Sequence, residues 1–495
     1  WVSPTRSGTS SARRSDRPPT AMSLVTRGSR GRRRWTRPAR AVSLSYLAVL
    51  AVGTLLLALP FSKAGPGSAN LLQAAFTATS MVCVTGLTVV DTATFWTPLG
   101  QVIITVLTQI GGLGVMTLTA LITLRLAHRV GLRQRMQMSA EAPGVGIGSV
   151  RRVARAVVIT AFVVEGVVSL IVGLRFWLGY DQPFPTAFGR AIFQSVSAFN
   201  NVGLALFSDN LMGFAGDWLV ILPTMAGVII GGLGLPVLRE LWHNRRRPWE
   251  RWKLFIADRR GTATFGIRRR IRLSLNTRIM LLGTALLLMG GLLYFLLQEW
   301  SNPLTMGPFS VPTKVLASFT MSVVPRTGGF NSINIADMQP DAWLVTDFLM
   351  FIGGGPAGTA GGLKVTTFAV IVAIAVTEIR GNRHTRMFDR SVPPATQRSA
   401  MAVGFAFMAV AGLGTFLLLH LSSFPLDQVL FEALSALSTV GLTTGITAEF
   451  NGPAQAVLMV MMFIGRLGPI TLAAALALNT RTTHYELPEE RPYIG

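Results

Sequence analysis

The stretch TSMVCVTGLTVVDT at 79–92 decides the fold, because a short apolar run leads there into a segment with a glycine. The run, 68–81, is too short to cross the roughly 30 Å hydrocarbon core of a membrane and is typical of a re-entrant helix. After the glycine segment VTGL at 84–87 comes a longer apolar stretch, 97–124, and another, 41–60, lies before the unit. The sequence therefore predicts a unit of span, short helix, glycine segment and span.

The same unit recurs three more times along the chain. The short runs are 186–199, 311–323 and 425–438, and their glycine segments are NVGL at 201–204, TGGF at 327–330 and TVGL at 439–442. The aligned glycines Gly86, Gly203, Gly329 and Gly441 lie 117, 126 and 112 residues apart. A single glycine segment of this kind is weak evidence, but four in register predict a selectivity filter.

The filter prediction has a physical basis. Backbone that is not helical at membrane depth must line water or protein. Four such segments on one axis would present rings of carbonyl oxygens, which can replace the hydration shell of a monovalent cation. Glycine permits the dihedral angles that direct carbonyls inward, and helix C-termini aimed at the filter favour cations. The predicted filter residues are Val84, Thr85, Gly86, Leu87, Asn201, Val202, Gly203, Leu204, Thr327, Gly328, Gly329, Phe330, Thr439, Val440, Gly441 and Leu442.

Composition and charge point to a membrane protein. The 495 residues are 50% hydrophobic and 14% charged, with a net charge of +23. An ordinary soluble enzyme carries about 25% charged residues, and a nucleic-acid-binding surface, which basic charge alone would suggest, does not suit so apolar a chain. A polytopic membrane protein with basic cytoplasmic loops fits both values. The single cysteine, Cys83, excludes an intrachain disulfide and a multi-cysteine metal site.

The basic residues predict the topology. Loops 125–155, 239–278 and 380–398 hold seven, thirteen and five basic residues, so we expect these loops and both termini on the cytoplasmic side. Eight crossings satisfy that arrangement. The candidate spans are 41–60, 97–124, 156–178, 217–242, 273–298, 342–378, 400–421 and 453–480.

The predicted fold is an all-α polytopic membrane protein with eight transmembrane helices and four re-entrant pore helices around a pseudo-fourfold pore. Its parts are a disordered basic cytoplasmic arm (1–40), pore repeats at 41–124, 156–243, 273–378 and 400–480, and a cytoplasmic tail (481–495).

The sixth candidate span contains the stretch GGGPAGTAGGLK at 353–364. So many helix breakers should unwind the middle of the span, and an unwound intramembrane segment needs a cavity to line. A phosphate-binding loop is excluded, because Leu363 separates Gly362 from Lys364 and no strand precedes the loop. The two GGLG stretches, 111–114 and 231–234, are instead typical of close helix packing on small residues.

Several charged residues fall within the predicted spans and short helices. Lys364 and Arg466 are functional candidates, because intramembrane charges are costly, although Lys364 could instead snorkel to the cytoplasmic interface. Glu432 and Arg326 precede the fourth and third glycine segments, and a brace between them would support the filter, but the sequence leaves their pairing open. For Glu165 a packing or hydrogen-bonding role is favoured over a proton relay.

These motifs resemble those of the Trk/Ktr/HKT superfamily of potassium transporters, in which a single chain imitates a tetrameric potassium channel. The resemblance covers about residues 41–480, and without an extra hairpin before residue 41 it is closest to the Ktr-type pore subunit. The stretches that carry it are 79–92, SAFNNVGLALFSDN at 197–210, PRTGGFNS at 325–332, 353–364 and LSTVGLTTG at 437–445.

The resemblance implies roles for individual residues. In the family, glycine at all four aligned filter positions goes with potassium, and serine at the first goes with sodium preference in some plant members. The second segment departs from the family pattern, with NVGL in place of NAGF. The broken span becomes an intramembrane gate beneath the filter, with Arg466 as an electrostatic barrier. The implied gate residues are Gly353, Gly354, Gly355, Pro356, Ala357, Gly358, Thr359, Ala360, Gly361, Gly362, Lys364 and Arg466.

The resemblance also implies partners and location. We expect a homodimer in the cell (plasma or inner) membrane, each chain with its own pore, and a cytoplasmic ring of nucleotide-binding RCK-type regulatory subunits on the basic loops. The chain itself needs no cofactor: K⁺ is the substrate, with Na⁺ as a further candidate, and nucleotide is expected only on the regulator. The alternatives are a sodium or non-selective cation transporter of the same fold and a proton-coupled secondary carrier. A membrane-embedded enzyme would need a catalytic cluster of His, Asp or Glu within the spans. Glu165 stands alone in its span, which argues against this alternative.

Overall fold

Long apolar helices alternate with shorter ones along the chain. The computed structural model describes residues 36–127, 150–244 and 273–478. Most of the predicted basic arm, the tail from residue 479 and the middles of the two longer basic loops lie outside the described residues. The helices in chain order are α1 (Thr36–Ala58), α2 (Leu71–Val82), α3 (Thr92–Phe95), α4 (Pro98–Ala127), α5 (Val150–Gly179), α6 (Phe184–Asn200), α7 (Trp218–Leu233), α8 (Leu235–Asn244), α9 (Leu275–Gln298), α10 (Val311–Val323), α11 (Pro340–Phe351), α12 (Val365–Ile379), α13 (Pro394–Leu421), α14 (Leu426–Ser438) and α15 (Gly452–Leu478). A two-stranded antiparallel hairpin, β1 (Arg386–Met387) and β2 (Arg390–Ser391), precedes α13.

Some of these helices are long and apolar enough to cross a membrane. In the described part of the chain, Arg155–Gly179, Leu275–Gln298 and Pro394–Leu421 meet that criterion alone, and the bent pair α7 and α8 would be a fourth span if it counts as one. Further apolar stretches of 10–17 residues occur within α1, α4 and α15 and as α12. The structure is thus mostly helical, with several apolar helices.

The helices α2, α6, α10 and α14 occupy the places where the sequence predicts short helices. Asn70 caps α2, accepting a hydrogen bond from the Leu72 N–H at 3.2 Å, and Gln73 completes a capping box. The C-terminal halves of all four helices are buried, so their last turns point into the protein.

Contacts between neighbouring units close into a ring. Helix α4 packs against α6, α7 against α10, α11 against α14, and α15 against α2. In each case the helix that follows one glycine segment contacts the short helix of the next unit, and the last unit contacts the first. The described residues from Tyr46 onward form one compact unit, with a core that includes Phe176, Phe330 and Phe431.

Two helical stretches are interrupted. Residues 352–364 separate α11 from α12 without helix, which confirms the unwound middle that the sequence predicts. The span predicted over 217–242 is not one continuous helix, because the chain bends by 101° between α7 and α8 at Gly234, whose φ is +86°. The glycines at 231–234 thus form a bend rather than a helix crossing, whereas those at 111–114 stay within α4, where Gly111 lies against the Val82 carbonyl.

Candidate functional site

The four glycine segments share one backbone conformation. The first and third residue of each have positive φ, between 52° and 93°, a region that side-chain-bearing residues rarely adopt. The first residues are Val84, Asn201, Thr327 and Thr439, and the third are Gly86, Gly203, Gly329 and Gly441. Units that are far apart in sequence therefore adopt the same unusual geometry.

The segments meet at one place. The second residue of each segment has its carbonyl oxygen beside the glycine of the preceding segment, so that a methyl group on that glycine would overlap the oxygen. The pairs are Gly86 with the carbonyl of Val202, Gly203 with Gly328, Gly329 with Val440, and Gly441 with Thr85. The contacts run from the first segment through the fourth and back to the first, which places four carbonyl groups in a ring.

Serine side chains of the short helices fix three of the segments. The serine lies six residues before the aligned glycine in each case. Ser80 accepts from the Gly86 N–H at 3.0 Å, Ser197 from the Leu204 N–H at 2.8 Å, and Ser435 from the Gly441 N–H at 3.1 Å. Val323 occupies the corresponding position of the third unit. There the N–H groups of Gly328 and Gly329 donate to the Val324 carbonyl, and these backbone hydrogen bonds fix the segment instead.

The loop 353–364 lies directly against the glycine segments. The Thr359 hydroxyl contacts the side chain of Asn201 at 2.8 Å and the Phe199 carbonyl at 3.0 Å. Asn201 in turn donates to the Thr327 hydroxyl at 3.2 Å. Gly361 contacts Thr439, whose hydroxyl a methyl group at Gly361 would overlap. The loop therefore touches the first residues of two segments.

The bend between α7 and α8 holds the loop in this place. The Gly355 N–H donates to the Gly232 carbonyl at 2.8 Å, the Thr359 N–H to Gly231 at 3.2 Å, and the Leu235 N–H to the Ala357 carbonyl at 3.3 Å. Sequence reasoning missed this role of 231–235. The GGLG motif was visible, but a motif cannot distinguish packing on small residues from a positive φ.

Both basic residues predicted beside the loop donate to it. Arg466 is 3% exposed and donates to the Thr359 carbonyl and, at 3.4 Å, to the Gly111 carbonyl. The Lys364 ammonium donates to the carbonyls of Ala360 and, at 3.4 Å, Gly361. Lys364 thus folds back onto its own loop.

Glu432 and Arg326, which the sequence offered as a brace, bond to different residues. The fully buried Glu432 accepts from Thr443, from the Thr444 N–H at 3.0 Å and from Thr447 at 2.7 Å. Arg326 donates to the Thr284 hydroxyl at 3.2 Å. A brace between the two is therefore wrong, and Glu432 instead fixes the turn that follows its own glycine segment.

Glu165 has the hydrogen-bonding role that the sequence favours. Its carboxylate accepts from the Gln109 amide at 3.0 and 3.1 Å and from the Asn200 amide at 3.3 Å. Gln109 also accepts from Asn200 at 2.7 Å. Because Asn200 directly precedes the second glycine segment, this buried network ties α4 and α5 to the end of α6.

A carboxylate also joins the first two units beyond the glycine segments. Asp91 accepts from Ser208 at 2.6 Å, from Thr94 at 2.8 Å and from the Ala93 N–H at 2.9 Å. Burial opposes the charged form of Asp91, but these hydrogen bonds outweigh it and hold the pKa of the carboxyl below its usual range.

The helical fold and the ring of backbone carbonyls fit one class of protein, the membrane-embedded cation transport proteins. The chain belongs to the TrkH family, described as cation transport proteins, whose family model matches residues 41–483.

Similar proteins come from several organisms. The chain is 38% identical to the Ktr system potassium uptake protein B of Vibrio alginolyticus, over 92% of this chain and 94% of that protein. It is 35% identical to the protein of the same name from Bacillus subtilis, over 93% and 98%. The crystal structure of the potassium transporter TrkH from Vibrio parahaemolyticus has the same fold, with a TM-score of 0.65 and 19% identity over 90% of this chain and 86% of that one.

Proposed function

We propose that this protein carries potassium ions across the cell membrane through a pore lined by the four glycine segments. The observation that carries the proposal is the ring of carbonyl oxygens from Thr85, Val202, Gly328 and Val440, each beside the glycine of a neighbouring segment. Carbonyl rings of this kind replace the hydration shell of a monovalent cation. The potassium uptake proteins of Vibrio alginolyticus and Bacillus subtilis support potassium as the ion.

The architecture we propose has eight transmembrane helices and four re-entrant pore helices around a pseudo-fourfold axis. Its support is the ring of contacts that joins each unit to the next and the last to the first. The buried C-termini of the short helices would direct their negative dipole ends to the carbonyl ring, which favours cations. Both termini and the basic loops would lie on the cytoplasmic side.

We assign the loop 353–364 as the gate of this pore. Thr359 and Gly361 lie against the first residues of the second and fourth glycine segments. Arg466 donates to a loop carbonyl and would add a positive charge to the path of a cation. Deletion of residues 355–362 should raise ion flux in liposomes, and unchanged flux would contradict this assignment.

The regulation we propose comes from outside the chain. Two relatives are named as protein B of a Ktr system, which supports a further subunit. A homodimer would dock a cytoplasmic ring of nucleotide-binding subunits on the basic loops. Co-purification of such a ring with the wild-type protein, and its loss when the basic residues of 239–278 are replaced, would test the docking.

Potassium transport is tested by two linked measurements. The protein should restore growth at low potassium to cells that lack potassium uptake, and purified protein should carry K⁺ in preference to Na⁺ in liposomes. Gly86→Ser should lower that preference, because the added side chain would overlap the Val202 carbonyl in the ring. A protein that is present in the membrane but neither restores growth nor carries K⁺ would overturn the proposal.

Sodium is the second candidate ion. The chain is 30% identical to the potassium/sodium uptake protein NtpJ of Enterococcus hirae over 92% of its length. Valine at 202, in place of the alanine expected from the family pattern, lies in the carbonyl ring itself. Val202→Ala should therefore change the ratio of K⁺ to Na⁺ flux if this position sets selectivity.

A further inference from the structure

A groove of about 730 Å³ lies between α9, α12 and the residues up to Phe388 that follow α12. Ligand pockets typically have about 300–1,000 Å³. Most of its walls are apolar, among them Leu286, Phe368 and Val372, and Leu286 and Val372 are 64% and 44% exposed. Nothing in the described part of the chain covers these side chains.

One end of the groove is basic. Arg380, Arg383 and Arg386 line it together with His384, and all four side chains are exposed. No acidic side chain is among the described residues that line the groove. In the same part of the chain, none of the three arginines takes part in an ion pair.

We propose that this groove binds an anionic phospholipid. Its phosphate would lie on the three arginines, since guanidinium groups match phosphate oxygens in geometry and charge. One acyl chain would follow the apolar wall along α12. The combination of a hydrophobic slot and a basic end at one membrane surface fits a molecule with both properties, whereas a free phosphate would leave the apolar wall exposed.

The site adjoins the loop that we assign as the gate. Helix α12 begins at Val365, directly after Lys364, and a methyl group on Gly283 of α9 would lie 2.6 Å from the Val365 side chain. The lipid would therefore fill the space beside the first turns of α12 and stabilise the position of that helix. This effect on flux rests on the proposed function, but lipid binding does not, and the two are measured separately.

Binding is tested with nanodiscs and native mass spectrometry. Purified protein from phosphatidylglycerol nanodiscs should retain bound lipid, and protein from phosphatidylcholine nanodiscs with the same acyl chains should not. Replacing Arg380, Arg383 and Arg386 by glutamine should weaken phosphatidylglycerol binding about fivefold for each arginine and roughly 100-fold together. Val372→Trp should also displace the lipid, since it fills the slot without removing charge.

Two control variants match these changes. Arg398→Gln removes an exposed arginine near the start of α13, and Leu293→Trp enlarges an exposed side chain of α9, both outside the groove. Both should retain phosphatidylglycerol as the wild type does. The proposal is overturned if the triple arginine variant binds phosphatidylglycerol with wild-type affinity, if both lipids are retained equally, or if Val372→Cys cross-links to a second protein chain in place of lipid.

Discussion

The four glycine segments and the loop 353–364 are both glycine-rich backbone without helix, but different parts of the protein hold them. Each segment is fixed by hydrogen bonds from its own short helix, as Gly86 is by Ser80. The loop is held from elsewhere, by the bend at 231–235 and by Arg466 of α15. A segment fixed within its own unit keeps its geometry when units shift, whereas a loop held by several units responds to their movement. This difference is what a rigid filter and a movable gate require.

The largest effect is expected from a methyl group in the ring. Gly203→Ala should lower K⁺ flux in liposomes roughly 10- to 100-fold, because its φ of +88° costs about 1–3 kcal/mol for a residue with a side chain. The methyl group would also overlap backbone atoms of Gly329. The control is Gly189→Ala in α6, where nothing lies within 4 Å of the added methyl group. Flux above half the wild-type value in Gly203→Ala would show that this ring is not the conduction path.

The bend that holds the loop should be the next most sensitive place. In Gly234→Ala, an alanine at φ +86° would lie 2.5 Å from the Pro356 carbonyl, so the loop must shift or the bend must open. We expect a loss of about 1–3 kcal/mol in the free energy of unfolding, measured by thermal unfolding in detergent, and altered K⁺ flux.

The matched control for the bend is Gly412→Ala, where nothing lies within 4 Å of the new methyl group. It should unfold at the wild-type temperature. Equal unfolding temperatures for the two variants would mean that the bend does not constrain the loop.

The sequence predicted the glycine segments better than it predicted what holds the loop. Four segments in register were readable because the same short pattern recurs, and the unwound 352–364 was readable because six glycines and a proline cannot all stay helical. The serines at Ser80, Ser197 and Ser435 could also have been found by aligning the units. The bend at Gly234 and the partners of Glu432 and Arg326 could not, because they depend on which atoms distant parts of the chain bring together.

A smaller effect is expected from the contact between loop and segment. Thr359→Val removes the hydroxyl that contacts Asn201 and Phe199, which weakens the contact between the loop and the second glycine segment by about 1 kcal/mol. K⁺ flux should rise about 3- to 10-fold with unchanged K⁺ over Na⁺ preference. The control is Thr346→Val, a buried threonine of α11 that bonds to the Ala342 carbonyl of its own helix. A change in selectivity with no change in flux would place Thr359 in the filter rather than the gate.

The smallest effect concerns the tie between the first two units at Asp91. Because the pKa of Asp91 is lowered on folding, its charged form stabilises the protein above the unfolded value of about 3.9, and this contribution is lost as the pH falls through the folded pKa. Asp91→Asn should therefore lower the unfolding temperature slightly at pH 6, by less than about 2 °C since the side chain is largely exposed, and this difference should shrink as the pH falls below about 3.9. Asp427→Asn, at an exposed carboxylate in the first turn of α14, serves as the control. If Asp91→Asn also lowered K⁺ selectivity, the glycine segments would depend on contacts between units, as the loop 353–364 does. The two regions would then differ only in how strongly they depend on such contacts.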